Sequence, residues 1–425
     1  MRDITAILID YSDQAALSRA LNSLRPIRSR ISSVMVLYRH ERPSDGLTDA
    51  VDSDHLQLIS AQGEDMGKWL QETINTLATP FVLWLSGRDY LPAATTPDTF
   101  QLDDNQTVLG TFKQRRNTTI QTPVFVRTSR VSEKPLNLSS ELPFQEALLP
   151  SWLIRVPDSE KIFKEGLVKE AGISHERDTV ETYQFMQKYQ LEPAHIERPS
   201  LTVIMPAYNM AAYVQTAVAS TLLQHDQPDQ LLIMDDGSTD ATHERLQRYS
   251  QDRRVQLFQQ ENSGKARALN RLLAHVTSDF ILELDADDWL DPDAISVIKT
   301  HLARLPADRA VLYGNLRLWK QLSGTVQFKQ LARGMPVSGR NDLLAYRFPL
   351  GPRVYRTSLL KRKGGFPVSD FADGRLYEDV STLNRLIKHH RFQYEDFTVY
   401  NVRKHSESIT KQNDAHWRDF LKSLD

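Results

Sequence analysis

The strongest constraint on the fold is that the chain repeats its own pattern along its length. Thr202 follows Thr5 by 197 positions (202 − 5), and Tyr208 follows Tyr11 at the same distance (208 − 11). Further segments match at nearly this offset: residues 67–68 with 264–265, 81–91 with 280–290, and 175–180 with 376–381. A repeat of this length is a whole domain rather than one helix or strand. The sequence therefore predicts two copies of one fold, residues 1–195 and 196–425, joined near residues 192–199.

Length and composition place the chain among ordinary globular proteins. Its 425 residues suit two or three domains, with 40% hydrophobic and 25% charged residues. A formal charge of -2 gives no reason to expect nucleic acid or an anionic membrane as partner. No apolar run approaches the ~18–20 residues that cross a bilayer, and the first residues lack a signal-peptide pattern. Cysteine is absent, which excludes disulfides and thiolate sites, and we expect a cytoplasmic protein.

Strand-like and helix-like segments alternate in the second copy. The predicted strands are 201–205, 230–234, 255–259 and 280–284, and the predicted helices are 211–224, one from about 240, and 264–275. Strands separated by helices form right-handed crossover units around a mainly parallel sheet. We therefore predict an α/β protein of two tandem domains, each a mainly parallel sheet flanked by helices. In such sheets, ligands bind at the carboxyl ends of the strands.

Three carboxylates follow the fourth predicted strand of the second copy. Asp285, Asp287 and Asp288 come directly after an apolar run that begins at Phe280. Burying so much negative charge is unfavourable unless a cation or the hydroxyl groups of a ligand share it. Crowded carboxylates bind hard divalent cations, which in turn hold diphosphates. The alternative is a solvated acidic turn.

Side chains after the first two strands are candidate nucleotide contacts. Tyr208, which closes the first strand after Pro206, offers an aromatic face to a nucleobase, with core packing as the alternative. Asp236, after the second strand, is suited to a base N–H or a ribose hydroxyl. There the alternative is helix capping by Ser238 or Asp240. Each of these segments is weak evidence when taken alone.

Later segments add cations, a general-base candidate and a histidine. Lys265 and Arg267 open a helix after a glycine, an arrangement that suits phosphate. Glu378 and Asp379 begin a helical run, where acids are ordinary partners of the helix dipole. Alternatively, Asp379 is a general base that faces an acceptor hydroxyl. His405 is a candidate for a metal or phosphate contact, although it is one of 12 histidines.

Taken in order, these segments resemble the family-2 glycosyltransferases of the GT-A type. The resemblance covers about residues 197–410 and rests on six motifs: P-A-Y-N (206–209), D-D-G-S-T-D (235–240), N-S-G-K-A-R-A-L-N (262–270), D-A-D-D (285–288), Y-E-D-V (377–380) and H-S-E-S-I-T (405–410). It implies a set of roles: nucleobase binding by Pro206, Tyr208 and Asp236 with help from Lys265 or Arg267, ribose binding by Asp285, Mn²⁺ or Mg²⁺ binding by Asp287, Asp288 and His405, catalytic base for Asp379, and acceptor contact for Glu378.

The resemblance also implies a reaction. Members of this family transfer a sugar from a nucleoside diphosphate to a hydroxyl group, typically with inversion and without an enzyme nucleophile. The resemblance suggests UDP or dTDP as the donor nucleotide and a glycan as the acceptor. It also suggests a role in the synthesis of bacterial surface or spore-coat polysaccharide, with a homodimer as one option. Processive members carry membrane helices and a Q-x-x-R-W motif, and no such motif follows Asp379. We therefore expect a non-processive enzyme.

The first copy departs from the motifs where the chemistry would occur. Tyr38 and Arg39 stand at the positions of Asp235 and Asp236, and Ser86 and Arg88 stand at those of Asp285 and Asp287. Replacing acids with arginines gives this part of the first copy a positive charge, which repels a metal cation. We predict that residues 1–195 bind no catalytic metal and transfer no sugar, and that they act as a scaffold, dimerisation surface or acceptor-docking domain.

Two other functions compete with this interpretation. One is a non-catalytic nucleotide-binding, sugar-binding or assembly protein built on the same folds, since a fold does not determine a function. The other is a sugar nucleotidylyltransferase. Enzymes of that class resemble one another in a glycine- and arginine-rich loop after the first strand. Residues 206–210 contain no glycine, which argues against the second alternative.

Overall fold

The computed structural model describes two compact units, Met1–Gln190 and Leu191–Asp425. The described residues are 2–11, 13–38, 43, 55–61, 65–172, 177–192, 194–323, 325–346, 350–369, 371–405 and 416–424. The division between the units falls five residues before the predicted boundary after residue 195 (195 − 190). Among the described residues, each helix is too short or too polar to span a bilayer.

The first unit alternates strands and helices and then adds an antiparallel hairpin. Its elements are β1 (Ile4–Ile9), α1 (Gln14–Ser23), β2 (Ile31–Tyr38), β3 (Leu56–Ser60), α2 (Met66–Asn75), β4 (Phe81–Ser86), β5 (Asp89–Tyr90), β6 (Val108–Arg115), β7 (Thr118–Arg127), α3 (Thr128–Glu133), α4 (Leu148–Leu153), β8 (Lys161–Phe163), β9 (Lys169–Glu170) and α5 (Arg177–Lys188). The main sheet has the order β3-β2-β1-β4-β7-β6-β8, and its first four strands are parallel. The next pairing, β4 with β7, is antiparallel.

The second unit begins with the alternation that the sequence predicts. Its elements are β10 (Leu201–Ala207), α6 (Val214–Leu222), β11 (Gln230–Asp235), α7 (Thr242–Gln247), β12 (Val255–Gln259), α8 (Lys265–His275), β13 (Phe280–Glu283), β14 (Trp289–Leu290), α9 (Ala294–Leu302), β15 (Arg309–Leu322), β16 (Thr325–Ala332), α10 (Arg340–Leu344), β17 (Arg353–Arg356), α11 (Thr357–Arg362), α12 (Glu378–Ile387), β18 (Arg391–Lys404) and α13 (Trp417–Ser423). Each of the four predicted strands is present, within two residues of its expected end.

The sheet of the second unit has a parallel half and a mixed half. Its order is β12-β11-β10-β13-β17-β15-β18-β14, with β16 paired to β15. The first four strands are parallel, whereas β17 runs antiparallel to both β13 and β15. The long strands β15 and β18 are parallel to each other. The predicted α/β class is confirmed, and the parallel arrangement is concentrated where helices connect the strands.

The two units share a strand order. Reading from the outer parallel strand, β3-β2-β1-β4-β7-β6-β8 corresponds position by position to β12-β11-β10-β13-β17-β15-β18. The corresponding pairs also agree in direction: β4 with β7 and β13 with β17 are antiparallel, and β6 with β8 and β15 with β18 are parallel. The same sheet has therefore been built twice from segments with little identity outside the matched motifs.

One helix is shorter than its pattern predicts. The prediction of 211–224 extends beyond α6 at both ends, because Met210 and Ala211 turn toward the loop after β11. The N–H of Met210 donates to the Thr242 hydroxyl at 2.8 Å, and the N–H of Ala211 donates to Asp240 at 3.0 Å. These bonds hold the chain in a turn until the helix begins at Val214.

Alternate strand residues of the second unit supply two cores, one on each face of the sheet. On β10, Val203 and Met205 pack with α6 and α9, whereas Ile204 packs with α8 and α12. The central strands are apolar on both faces because helices cover both, as expected for crossover connections. The unit is a three-layer sandwich whose open edge lies at the strand ends.

The buried strands should be sensitive to truncation. Leu232, at the centre of β11, is fully buried, and Leu232→Ala should lower the free energy of unfolding by about 2–5 kcal/mol through the cavity it leaves. Leu322 is 39% exposed at the end of β15, so the matched Leu322→Ala should change it by about 0.5 kcal/mol or less. Urea unfolding of the full chain measures both values. Equal losses would contradict this placement of the core.

Candidate active site

Three adjacent parallel strands deliver the candidate residues to one edge of the sheet. Tyr208 follows β10, Asp236 follows β11, and Asp285 follows β13, and these strands are neighbours in the order β11-β10-β13. Carboxyl ends of parallel strands meet at one edge, so three segments far apart in sequence converge there. The convergence expected from the strand pattern is present.

Tyr208 and Pro206 differ in solvent exposure. Tyr208 is 44% exposed, so its ring is not used to fill the core. Pro206 is buried within β10, opposite Met234 of β11. The exposed ring is available to stack on a base, and the role predicted for Pro206 is limited to shaping the strand that carries Tyr208.

The loop after β11 is shaped by its own acids. Asp235 accepts hydrogen bonds from the Ser238 N–H and lies 3.0 Å from His243. Asp240 accepts from the Thr242 N–H at 2.9 Å at the start of α7, so the capping alternative is present in the structure. Gly237 has a φ of +71°, and a Cβ there would lie 2.6 Å from the Asn262 nitrogen. Only glycine permits this close approach.

Asp236 anchors the phosphate-type loop that precedes α8. Its carboxylate accepts hydrogen bonds from the N–H groups of Ser263 and Gly264, each at 2.9 Å, and from the Gln260 amide at 2.5 Å. Asp236 is buried, and both of its oxygens are engaged with the protein. The Ser263 hydroxyl lies 3.5 Å from the same carboxylate, so four donors surround its roughly four acceptor positions. The observed role of Asp236 is to hold the loop.

The two cations at the start of α8 point to different partners. The Lys265 ammonium lies 2.6 Å from Asp285, 3.0 Å from Glu283 and 3.0 Å from Glu378. Arg267 instead donates to the Ser263 carbonyl and to Asp373. Residues two apart do not share a helix face. Of the two predicted phosphate contacts, the structure therefore brings only Lys265 into the acidic edge of the sheet.

Arg353 joins the acids of two elements. It makes a two-pronged contact with Glu283, its register partner across β13 and β17, at 2.9 and 3.0 Å. The same guanidinium lies 3.3 Å from Asp285 and 3.7 Å from Asp379. Together with Lys265, Arg353 connects the carboxylates at the end of β13 to those at the start of α12. We call the whole group the charge cluster: Lys265, Glu283, Asp285, Arg353, Glu378 and Asp379.

Two members of the charge cluster were not assigned by sequence reasoning. Glu283 falls within the predicted strand 280–284, and the sequence motifs assign no role to Arg353. The available signal was an acid in the apolar run F-I-L-E-L, because a charge in a buried strand needs an opposite charge on a neighbouring one. Which strand supplies it depends on the antiparallel pairing of β13 with β17, and that pairing involves residues about 70 positions apart.

Burial makes the electrostatics of the charge cluster strong. Although burial opposes it, contact with Arg353 and Lys265 lowers the pKa of Glu283 to about 2. Burial also opposes the charge on Lys265, yet Asp285, Glu378 and Glu283 raise its pKa well above the usual value. Burial raises the pKa of Glu378, and Lys265 partly offsets this. The cluster thus holds firmly charged groups beside one carboxyl that keeps its proton to higher pH.

The predicted metal residues are not brought together as one group of three. His405 Nε2 lies 2.9 Å from Asp287 Oδ2. Asp288 is only 4% exposed and accepts a hydrogen bond from the Arg403 N–H of β18 at 2.8 Å. Burial, then Asp287 and Asp285, raise its pKa well above the usual value. No cluster of three metal-ligating side chains occurs among the residues described above. The metal assignment of Asp288 stays a prediction, and the burial of this carboxyl and its bond to the Arg403 N–H argue against it.

A divalent cation fits the remaining pair. Carboxylate oxygen and neutral imidazole nitrogen are both metal ligands. The 2.9 Å between His405 and Asp287 is near the roughly 3 Å that separates adjacent ligands of an octahedral cation with bonds of ~2.1 Å. Asp287 and His405 would hold the cation, and a diphosphate would complete its coordination. Of the H-S-E-S-I-T motif, only His405 lies within the described residues.

Glu378 and Asp379 occupy the first turn of α12. Asp379 is 23% exposed, whereas the Glu378 side chain is more deeply buried against Lys265. The more open carboxylate is the better placed to meet an acceptor hydroxyl. Its assignment as the base remains a prediction.

Comparison with known proteins agrees with this geometry. Residues 202–325 match the family described as Glycosyl transferase family 2, a range that runs from β10 into β16 and includes the acidic turn after β13. This part of the chain is therefore similar to the domain of family 2 glycosyltransferases. Arg353, Glu378, Asp379 and His405 lie beyond the matched range.

Several relatives are similar to part of the chain. Glycosyltransferase GlyA of Streptococcus pneumoniae is 30% identical over 129 residues, which cover 30% of this chain and 18% of GlyA. Chondroitin synthase of Pasteurella multocida is 36% identical over 117 residues, covering 27% of this chain and 12% of that protein. GlyG of Streptococcus pneumoniae is 26% identical over 233 residues, covering 52% of this chain and 77% of GlyG. The matched region is thus a small part of the first two proteins.

A solved structure also resembles the chain. The crystal structure of S. aureus TarS 1-349 in complex with UDP has a TM-score of 0.38 and 21% sequence identity, and covers 50% of this chain and 62% of that one. The fold of the second unit is described by its own strand order and register, independently of this similarity.

The first unit has different chemistry at the corresponding strand end. Asp89 is buried after β4, accepts from the Ser86 hydroxyl at 3.2 Å, and is paired with the Lys113 ammonium at 2.7 Å. The Lys113 ammonium thus contacts the carboxylate of Asp89, which stands at the position of Asp288 in the second copy. Arg88 is exposed, while Arg39 and residues 175–176 lie outside the described residues, as does the side chain of Asp178.

Breaking the charge cluster should destabilise the second unit. Arg353→Met leaves Glu283 without its two-pronged partner and should lower the free energy of unfolding by about 3–5 kcal/mol. Arg333, which is 71% exposed and 3.9 Å from Asp396, supplies the matched control, and Arg333→Met should have an effect of about 1 kcal/mol or less. Thermal and urea unfolding would show the difference. A mild effect of Arg353→Met would mean that the cluster is solvated.

The two neighbouring aspartates should differ in metal dependence. Because the Asp288 carboxyl is buried with a raised pKa, an amide should replace it with little change, and Asp288→Asn should keep Mn²⁺-dependent UDP affinity within about twofold. Asp287→Asn should lower that affinity by about tenfold or more. Calorimetric titration of UDP with and without Mn²⁺ measures both. A loss in Asp288→Asn as large as in Asp287→Asn would restore Asp288 as a ligand.

Proposed function

We propose that the chain transfers a sugar from a nucleoside diphosphate sugar to a hydroxyl group of a glycan acceptor, and that residues 191–425 carry out the reaction. The observation that carries this proposal is the charge cluster. In the second unit, Lys265 and Arg353 connect the donor-side Asp285 to the Glu378–Asp379 turn. Donor-side acids and a base must lie close together for direct transfer between two substrates.

The donor half of the site has a platform for the nucleobase and a loop for the polar groups of the nucleotide. The exposed Tyr208 ring suits stacking on a nucleobase, and the loop that Asp236 anchors suits the nucleotide's polar groups. Asp285 is assigned to the ribose. We expect UDP or dTDP as the nucleotide of the donor.

The metal belongs at Asp287 and His405. A divalent cation held there would stabilise the charge that develops on a leaving diphosphate. Asp287 and His405, which directly follows β18, would hold the cation, and Asp287 would supply the negative charge. The buried Asp288 supports the turn by accepting the N–H of Arg403. Either Mn²⁺ or Mg²⁺ suits this pair of ligands.

The acceptor half is the turn at the start of α12. We assign the base to Asp379, which would take the proton of the acceptor hydroxyl as it attacks the anomeric carbon from the face opposite the diphosphate, with inversion. Glu378, held by Lys265 with a raised pKa, would contact the acceptor. No enzyme nucleophile takes part. Without a processive motif, the enzyme would add one or a few sugars.

The first unit is assigned a non-catalytic role. Lys113 neutralises the retained Asp89 there, and Ser86 stands where the second unit has Asp285. An ammonium group at this position leaves no net charge for a divalent cation. We place the product among bacterial polysaccharides, since named relatives include synthases of chondroitin and hyaluronan.

A panel of nucleotide sugars with Mn²⁺ tests the proposal, using the full chain and measuring release of nucleoside diphosphate. Asp379→Asn should lower turnover by about 10²–10⁴-fold because it removes a positioned base, while UDP affinity stays unchanged. Asp308→Asn serves as the matched control at an exposed acid. Full activity in Asp379→Asn would contradict the base assignment.

The same panel separates the alternatives. Turnover that disappears in Asp379→Asn excludes a contribution from the first unit. Absence of turnover with every donor, together with no thermal stabilisation by UDP and Mn²⁺, would favour the assembly-protein alternative, since a specific ligand stabilises the folded state.

A further inference from the structure

The turn that carries Glu378 and Asp379 has an unusual backbone. Tyr377, the residue before α12, has φ 57° and ψ 30°, in the left-handed region. Bulky residues rarely adopt this conformation, and it persists only where the surroundings enforce it. The side chain of Tyr377 does not cap α12, although its carbonyl accepts the Ser381 N–H at 2.9 Å. Something other than a capping bond must hold the turn.

An aromatic group encloses the Tyr377 ring. The ring stacks on Phe420 with centroids 4.4 Å apart and planes at 26°, and it meets Trp417 edge-on at 5.3 Å. Phe371 lies 6.2 Å from Tyr377 and 5.6 Å from Phe420. We call these four residues the aromatic clasp. Phe420 is fully buried, so α13 is firmly seated on the turn through this ring.

The turn is therefore held from two sides. The charge cluster attracts its carboxylates: Lys265 contacts Glu378 and Arg353 contacts Asp379. On the other side, the clasp fixes the ring immediately before them. Electrostatic attraction alone sets distance loosely, whereas aromatic packing sets orientation. Together they determine where the Asp379 carboxylate points.

We propose that α13 positions the Asp379 turn for transfer, with Phe420 and Trp417 as positioning residues that act through Tyr377. This inference rests on the proposed function, in which Asp379 is the base. The clasp residues lie on α13 and in the segment before α12, whereas the assigned donor contacts follow β10, β11 and β13. Loss of the clasp should therefore affect transfer and spare donor binding.

The expected effect is a selective fall in turnover. Displacing a catalytic group by about 1 Å lowers rate by up to about 10²-fold. Phe420→Ala and Trp417→Ala should each lower kcat by about 10–100-fold, with the KM for donor and UDP affinity within about twofold. Phe420→Tyr should retain most of the activity, since it preserves the stacked ring.

The experiment uses the full chain and a matched control on the same helix. Lys422, whose side chain is 79% exposed, lies outside the clasp, and Lys422→Ala should behave as wild type. Tyr377→Gly keeps the left-handed backbone favourable but deletes the ring, and Tyr377→Phe keeps the ring. The readouts are kcat and KM with the donor found in the panel, UDP titration with Mn²⁺, and amide hydrogen exchange over residues 378–384.

Hydrogen exchange separates this inference from the proposed function. In Phe420→Ala and Tyr377→Gly, amides of residues 378–384 should exchange faster while those of α8 are unchanged. Fast exchange with lower kcat and intact UDP affinity supports the clasp. Unchanged exchange and kcat in Tyr377→Gly overturns it, as does a parallel loss of UDP affinity. If wild type turns over no donor, the proposed function fails, and exchange over 378–384 still decides whether α13 holds the turn.

Discussion

The second unit depends on the pairing of two cations, the partly buried Lys265 and the buried Arg353, with four carboxylates. Lys265 reaches from the first residue of α8, and Arg353 reaches from β17. An acid buried without a partner is strongly unfavourable, so each element that brings an acid to the cluster is tied to the others. The same contacts connect β13, where a donor would be held, to α12, where an acceptor would be activated. Stability and the proposed chemistry therefore share one set of interactions.

The two units show how one sheet can carry two kinds of strand end. Their strand orders and directions correspond, because alternating apolar residues and crossover helices impose this arrangement in both. The ends of the strands are less constrained by packing. In the second unit, Asp287 and His405 face each other. In the first unit, Lys113 is paired with Asp89. Changing a few polar residues at an edge alters the chemistry and leaves the core intact.

Sequence reasoning located the regular elements well and the polar contacts less well. The strand 255–259 has its predicted limits, because its apolar pattern is local. Helix 211–224 was too long, since hydrogen bonds from another loop hold its first residues. Asp288 looked like Asp287 in sequence, but the backbone turn directs it to Arg403 of β18, more than 100 positions away. A role that depends on the direction of a side chain cannot be derived from residue type.

By itself, the sequence determined the α/β class and the strand ends at which acids gather, because hydrophobic periodicity and the alternation of strands with helices are properties of nearby residues. Only the tertiary structure decided which acid meets which cation. The partnership of Glu283 with Arg353 arises from an antiparallel pairing, and the contact of Tyr377 with Phe420 from the docking of α13. Both join segments that are distant in sequence. Their interaction energies depend on burial and distance, which exist only once the chain has folded.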